Sequence, residues 1–342
     1  MSKIKAAIVG ASGYSGEELI RLLLRHRQCQ IGVITSRQYD GQAVETVFPR
    51  FSGSGLVFSN PDVKQIAEQC QVAFLALPHG LASEFAIPLI EAGLKVIDIS
   101  ADFRLRSTKK YQEYYNQEHP SPELLKKAVY GLPERYREQI KSADMIACPG
   151  CYPTSIILAV APMLEAGLAS TKGIISSSIS GITGAGRKVD LPFIFPECNE
   201  SVRAYGVAGH RHLPEVEQEL AVAAGVPEVA INFIPHLAPI NRGINSTIIM
   251  DAEPGCSMDK ITEAYNNAYA NEPFVRVLKP GKLSDTKYVT MTNVCEIGYQ
   301  LDPHTNKLII TSTIDNLTKG ASGQAVQNMN IRFGFDETEG LL

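Results

Sequence analysis

The stretch Ile4-Lys5-Ala6-Ala7-Ile8-Val9-Gly10-Ala11-Ser12-Gly13-Tyr14-Ser15-Gly16 decides how the first half of this chain folds. Ile4 to Val9 reads as a buried strand, because its apolar residues run on without the alternation that marks a solvent face. Glycines at 10, 13 and 16 then form a turn, and a helix is expected from near Ser15. Such a turn lets backbone N–H groups approach a pyrophosphate at a helix N-terminus, where the dipole favours anions. The spacing is G-x-x-G-x-x-G rather than the commoner G-x-G-x-x-G, and by itself it also fits a plain tight turn. Its position after the N-terminal strand favours a nucleotide site contributed by Gly10, Ser12, Gly13, Tyr14, Ser15 and Gly16.

Working outward, strands are expected at 30–35, 72–77 and 95–99, with crossover helices at 63–69 and 81–92. Strands alternating with helices argue for right-handed βαβ units on a parallel sheet, a Rossmann-type doubly wound domain of the α/β class. The second strand ends in Thr35-Ser36-Arg37, and no acid occurs from Leu19 until Asp40. An NAD site places an acid about 20 residues after the glycines to hold the ribose 2′-OH. Ser36 and Arg37 instead suit a 2′-phosphate, so NADP(H) is the expected cofactor; the plain reading of Arg37 is a solvated loop charge.

After residue 150 the texture changes. β-rich runs at 174–179, 229–234, 245–250, 294–299 and 308–314, with a helix at 258–270, suggest an α+β substrate domain on a mixed or antiparallel sheet. The stretch 320–333 reads as a helix without a sheet partner, expected to return to the first domain. The division is thus an NADP-binding domain at 1–150, completed by 317–342, and a catalytic and oligomerisation domain at 151–316. With 342 residues, 44% apolar and 20% charged, two cores are expected in an ordinary globular chain. A net charge of −4 gives no whole-molecule attraction to nucleic acid or anionic membrane. No apolar run reaches the roughly 18 residues of a membrane span, and the N-terminus lacks a signal-peptide pattern, so a cytoplasmic location is expected.

Seven cysteines, scattered and odd in number, are expected to be thiols, and the question is which one reacts. Ala147-Cys148-Pro149-Gly150-Cys151-Tyr152-Pro153-Thr154 precedes a helical stretch at 155–165. Pro153 suits a first helical turn, which puts Cys151 at or just before the helix N-terminus. Free N–H groups and the dipole there lower a thiol pKa from about 8.5 and favour a nucleophilic thiolate. Three other readings compete: a Cys148-x-x-Cys151 exchange site, a zinc site with His210 and His212, and inert core thiols, the reading adopted for Cys148.

A thioester mechanism also calls for a group titrating near neutrality. In Gly209-His210-Arg211-His212-Leu213-Pro214-Glu215, His210 ranks first; His212 otherwise decorates a helix start. Arg104 and Arg106 follow the C-terminal end of a parallel strand, where ligands bind in such sheets, and Arg104 is the candidate for a carboxylate or phosphate. Arg242 is a weaker one.

Together the stretches 9–16, 99–104, 148–154, 178–186, 205–215 and 314–330 resemble the N-acetyl-γ-glutamyl-phosphate reductase family, related to aspartate-semialdehyde dehydrogenase. The segments PGCYPT, GHRHLPE and IDNLTKGASGQAVQNMN are the specific ones. The resemblance implies NADPH-dependent reduction of an acyl phosphate to a semialdehyde in arginine biosynthesis, by a homo-oligomer (dimer or tetramer). It implies Cys151 as nucleophile, His210 as acid/base, Ser180 and Gly181 lining the cysteine pocket, and Asn316 near the nicotinamide. Tyr205, His212 and Glu215 fall in a matching segment beside the substrate. An aminoadipyl or aspartyl phosphate substrate stays open, as does a regulator that senses NADP without chemistry.

Overall fold

The computed structural model describes residues 3–342, which form two compact units. One comprises the described residues up to Thr108, with Gln117–Pro149 and Ala321–Leu342. Its strands are β1 (Ile4–Val9), β2 (Cys29–Thr35), β3 (Val72–Leu75), β4 (Lys95–Asp98), β5 (Val129–Tyr130) and β6 (Met145–Ala147). They lie in the order β2-β1-β3-β4-β6-β5, every neighbouring pair parallel. Ala6 to Val9 and all of β3 are fully buried, as a sheet covered on both faces requires. Each such Ile, Leu, Val or Phe contributes at most about 1.5–3 kcal/mol by leaving water.

The connecting helices include α1 (Tyr14–Leu23), α2 (Val63–Gln69), α3 (Ala82–Glu91) and α4 (Pro133–Ile140). Asp62 starts α2 by accepting the N–H groups of Lys64 and Gln65. The expected strands and helices are present with ends within two residues. Sequence reading missed α4, whose mainly polar residues bury only Pro133 and Ile140 and so show no apolar period.

This unit also holds the C-terminal helix Gly323–Phe333, buried from Gly323 to Ile331 and packed against α1, α4 and β4. Four of those nine residues are amides, and several of their polar groups find partners inside. Asn330 donates to the carbonyls of Glu337 (3.1 Å) and Glu339 (2.9 Å), and its Oδ1 pairs with His26 Nε2 at 2.8 Å. Asn328 donates to the Gly131 carbonyl at 2.8 Å. Paired in this way, the Asn328 and Asn330 donors escape the penalty of unpaired burial.

The second unit comprises Lys109–Asn116 and Gly150–Gly320. Its strands are β7 (Ile174–Ser180), β8 (Arg203–Ala204), β9 (Ile231–Leu237), β10 (Ile244–Asp251), β11 (Val275–Val277), β12 (Cys295–Asp302) and β13 (Lys307–Ile314). They form one mixed sheet in the order β11-β12-β13-β10-β7-β9-β8, parallel only at β7–β9 and β11–β12. Helices α5 (Cys151–Glu165), α6 (Leu213–Ala224) and α7 (Met258–Tyr269) complete it.

Helix α5 is buried continuously from Tyr152 to Leu164, as its all-round apolar sequence demands, and packs on α6, α7, β10 and β13. Pro162 has no N–H for the Leu158 carbonyl one turn back; Tyr269 Oη donates to it instead at 2.6 Å. Tyr265 Oη likewise donates to the Ala159 carbonyl at 2.7 Å. The helix that begins with Cys151 is therefore fastened to α7 at its middle turn. Among the described residues, no helix is long and apolar enough to cross a membrane.

Candidate active site

In the first unit, α1 opens at Tyr14 with Gly13 as its N-cap and no side chain capping the first turn. Gly10 has φ +86°, and a Cβ there would lie 2.5 Å from the Ala76 carbonyl oxygen, so only glycine fits. A Cβ on Gly16 would meet Ala11 Cα at 2.5 Å, so the helix reaches its turn only because none is present. A Cβ at Gly13, by contrast, meets nothing nearer than the Gly10 oxygen at 4.0 Å, which leaves an open cradle in front of the helix. Ser15 is held from behind, its carbonyl accepting Ser322 Oγ at 2.8 Å.

Ser36 Oγ donates to Ser12 Oγ at 3.1 Å, so the end of β2 lies against the glycine turn. Arg37 pairs with Glu84 at 3.3 Å, but both side chains are more than half exposed, and such a pair holds weakly. Its guanidinium is therefore available to an anion. An uncapped helix start, an open cradle and a Ser–Arg pair fit a dinucleotide with a 2′-phosphate.

Arg104 is turned inward. It is 7% exposed, with Nε donating to the Cys148 carbonyl and Nη2 to that of Ile99, each at 2.8 Å. The side chain braces the ends of β4 and β6 from within. Nearby, Asp98 is fully buried and accepts Ser100 N–H (2.8 Å) and Oγ–H (2.9 Å). Burial, then the Asp102 charge, pushes its carboxyl up to about 7. Cys148 is also fully buried, and desolvation first, with Asp98 second, pushes its thiol up to about 12. A thiol so disposed is inert, which removes the second sulfur that an exchange site needs.

In the second unit, Cys151 is the first residue of α5, partly exposed, with Gly150 as N-cap. Glu215 on α6, 1% exposed, accepts the Gly150 N–H at 2.8 Å. The His212 ring lies over Gly150; a Cβ there would be 2.5 Å from Nε2. On the other side a Cβ at Gly320 would come within 2.8 Å of Cys151 Cβ. Gly320 sits in a π-helical turn and donates to the Asp315 carbonyl at 3.0 Å. The Asp315 carboxylate in turn accepts the N–H groups of Leu317 (2.8 Å), Thr318 (3.1 Å) and Met291 (2.7 Å), and pairs with Arg242 at 3.3 Å.

His210 stands within an aromatic box, its ring centroid 5.6 Å from Tyr152, 5.5 Å from Tyr205 and 5.3 Å from Phe233. Burial, and secondarily the Arg211 charge, pushes its imidazolium down to about 4. Its Nδ1 accepts the His212 N–H at 3.1 Å, which assigns the proton of the neutral ring to Nε2. A group titrating near neutrality was expected here; the surroundings favour the neutral imidazole at neutral pH. Tyr152 and Tyr205 hydroxyls meet at 3.1 Å, and Tyr152 Oη lies 3.4 Å from the His236 carbonyl. Burial raises both phenols, Tyr205 to about 12, and the Cys151 charge raises each further, so the sulfur is within their electrostatic reach.

Ser180 is 2% exposed and donates to the Gly181 carbonyl at 3.0 Å. Gly181 packs so closely that a Cβ would meet the Asn241 oxygen at 2.7 Å. Asn316 accepts the Gly243 N–H at 2.8 Å and donates to Thr183 Oγ1 at 2.9 Å, so both ends of its amide tie loops of this unit together. The structure thus gathers Cys151, Tyr205, His210, His212 and Glu215, while Ser180, Gly181 and Asn316 support the backbone. Tyr152, Phe233, Asp315 and Gly320 were missed; their roles come from contacts that no local spacing encodes. Among the described residues, no cluster of three or more His, Cys, Asp or Glu is placed to hold a metal.

Residues 5–143 match the family model of the semialdehyde dehydrogenase NAD-binding domain, and 151–316 that of the semialdehyde dehydrogenase dimerisation domain. Among curated relatives, an N-acetyl-gamma-glutamyl-phosphate reductase of Akkermansia muciniphila is 52% identical, covering 100% of this chain and 99% of its own. A second, from Desulfotalea psychrophila, is 50% identical over 99% of this chain and 98% of its own. Among solved structures, aspartate semialdehyde dehydrogenase II from Vibrio cholerae, complexed with ASA, is similar with a TM-score of 0.73. It covers 98% of this chain and 99% of its own at 16% identity, a likeness that bears on the fold alone.

Proposed function

The chain belongs to the N-acetyl-γ-glutamyl-phosphate reductase family, and from that premise we propose that Cys151 carries the acyl group as a thioester. The enzyme is an NADPH-dependent oxidoreductase that reduces N-acetyl-γ-glutamyl phosphate to N-acetylglutamate 5-semialdehyde with release of phosphate, a step of arginine biosynthesis. The match to a dimerisation domain supports a homo-oligomer. We assign cofactor binding to 1–150 with 317–342, and catalysis with assembly to 151–316, acting in the cytoplasm. The observation that carries the reading is Cys151 at the first position of α5, with the preceding N–H fixed by Glu215.

The dipole and free N–H groups at the start of α5 favour the thiolate, which attacks the γ-carbonyl carbon. A C–S bond forms, the bond from that carbon to the phosphate oxygen breaks, and phosphate departs with the electron pair and takes up the proton that the reaction consumes. The glycine turn with Ser36 and Arg37 would hold NADPH, the 2′-phosphate being the group suited to the Ser36 hydroxyl and the Arg37 guanidinium, and the cofactor would supply the hydride that reduces the thioester. The resulting oxyanion collapses by C–S cleavage, releasing the aldehyde and restoring the thiolate. His210, neutral with its proton on Nε2, serves as a hydrogen-bond donor to developing negative charge rather than as the base. Thiol ionisation is left to the helix terminus.

Cys151→Ser tests this directly. The variant is expected to bind NADPH normally and to lose more than about a thousandfold of its phosphate-dependent turnover of semialdehyde and NADP. Near-normal turnover overturns the assignment. Reverse rates with aspartate and aminoadipate semialdehydes, expected to be far lower, test the choice of substrate.

A further inference from the structure

Four fully buried serines lie at the seat of the nucleophile helix: Ser155 on α5 itself, and Ser246 on β10 with Ser176 and Ser178 on β7 beneath it. Ser246 stands opposite Ser178 in the antiparallel register. Around them the same strands turn Ile174, Ile244, Ile248 and Met250 inward, so the hydroxyls interrupt an otherwise apolar layer. Alanine would fill nearly the same space without desolvating a hydroxyl, and packing alone does not account for four serines.

Their hydrogen bonds run in one direction. A hydroxyl has a single hydrogen to donate. Ser155 gives its own to the Tyr152 carbonyl at 2.9 Å, so at the 2.8 Å contact between Ser155 and Ser246 the donor is Ser246. With that hydrogen committed, Ser178 is the donor to Ser246 at 2.8 Å, and by the same logic Ser176 donates to Ser178 at 3.1 Å. The order Ser176, Ser178, Ser246, Ser155, Tyr152 carbonyl is forced. Hydrogen bonds aligned head to tail polarise one another, and each hydrogen here points toward the first turn of α5.

We propose that this chain of hydroxyls positions the nucleophile: it fastens the carbonyl of the residue next to Cys151 to the central strands of the sheet and sets the angle of the first turn. The inference rests on Cys151 being the nucleophile. Ser176 and Ser178 are then positioning residues that act through Ser246 and Ser155 on a sulfur they do not touch.

The experiment is a cycle on Ser155 and Ser178, which share Ser246 but have no bond to each other. Ser178→Ala is expected to lower kcat about fivefold, the rate equivalent of one net hydrogen bond, with KM within about twofold. The double variant Ser155→Ala/Ser178→Ala is expected to be no slower than Ser155→Ala alone, because the chain is already cut. Additive losses overturn the proposal, and so does a lowered Tm with kcat unchanged, the signature of packing alone. If Ser178→Ala does not fold, Ser246→Cys, close in size with a weaker donor, takes its place with the same expected fall and the same overturning result. Cys151→Ser, assayed alongside, separates the two claims: turnover surviving there defeats the nucleophile assignment, whereas unaltered serine variants beside a dead Cys151→Ser defeat only the positioning chain.

Discussion

Glu215 accepts the backbone N–H of Gly150 at 2.8 Å, and so fixes the N-cap residue that immediately precedes Cys151. Sixty-five residues separate the two partners in sequence. The carboxylate is buried, and a carboxylate beside a thiolate opposes ionisation, so its value lies in geometry rather than charge. Glu215→Ala leaves a buried N–H without its acceptor, a local penalty of about 1–3 kcal/mol, and is expected to lower kcat about tenfold or more. Glu215→Gln keeps a carbonyl oxygen at the same place and is expected to retain most of the activity. Steady-state kinetics on both variants decide it: equal damage from Gln and Ala means that the charge itself is required.

Gly320 and Gly150 leave no room for a side chain, one against Cys151 and the other against His212. In Gly320→Ala the new methyl meets Cys151 Cβ at 2.8 Å, where backbone atoms must shift. A displacement approaching 1 Å at a reacting atom costs on the order of a hundredfold in rate. Gly320→Ala is therefore expected to lose roughly that much kcat while binding NADPH normally by fluorescence titration. Retention of full kcat means that the turn yields instead of the nucleophile.

The elements that the sequence displayed were those whose burial is local and periodic. The apolar runs of β1 and β3, the glycine turn and the start of α5 at Cys151 could be read because one contiguous segment carries the whole signal. The C-terminal helix was expected, but its near-complete burial could not be read from hydrophobicity, because amide donors such as those of Asn328 and Asn330 are paired inside with the carbonyls of Gly131 and Glu339. The inward bonds of Arg104 were not legible, because a strand-end arginine reads the same whether it faces solvent or folds back onto Cys148 and Ile99. The surroundings of His210 come from Tyr152, Tyr205 and Phe233, which the spacing of GHRHLPE does not reveal.

The protonation state of His210 is itself testable. A free imidazole titrates near 6.5, whereas His210 is pushed down to about 4. Its NMR ring signals are expected to stay constant from about pH 5.5 to 8.5, and kcat/KM to show no acid limb from this residue in that range. A titration midpoint near 6.5 restores the acid/base role that the sequence suggested.

Arg37 is held only by an exposed pair with Glu84, so removing it disturbs little of the fold. Arg37→Ala is expected to raise KM for NADPH about tenfold or more and leave KM for NADH nearly unchanged, the loss of a charge-assisted contact to one phosphate. Equal changes for both cofactors move the 2′-phosphate contact elsewhere.

Asp98 gives a stability prediction whose sign follows from its burial. Its carboxyl is fully enclosed at the end of β4 and pushed up to about 7, while the same group in the unfolded chain titrates near 3.8. Between those values the native state holds a proton that the unfolded state has lost. Its stabilising contribution, complete below pH 3.8, therefore declines as pH rises and is gone above about 7. Other groups also titrate in this window, His210 with the opposite sign, so the informative quantity is a difference between variants at matched pH. Asp98→Asn stays neutral throughout, and the Ser100 hydroxyl can turn to accept from the new amide. The Tm of Asp98→Asn relative to the parent is expected to rise by roughly 5 °C between pH 5 and pH 8. A difference that stays flat with pH means that Asp98 ionises at its ordinary value, and that Arg104 offsets the burial more strongly than the enclosed geometry implies.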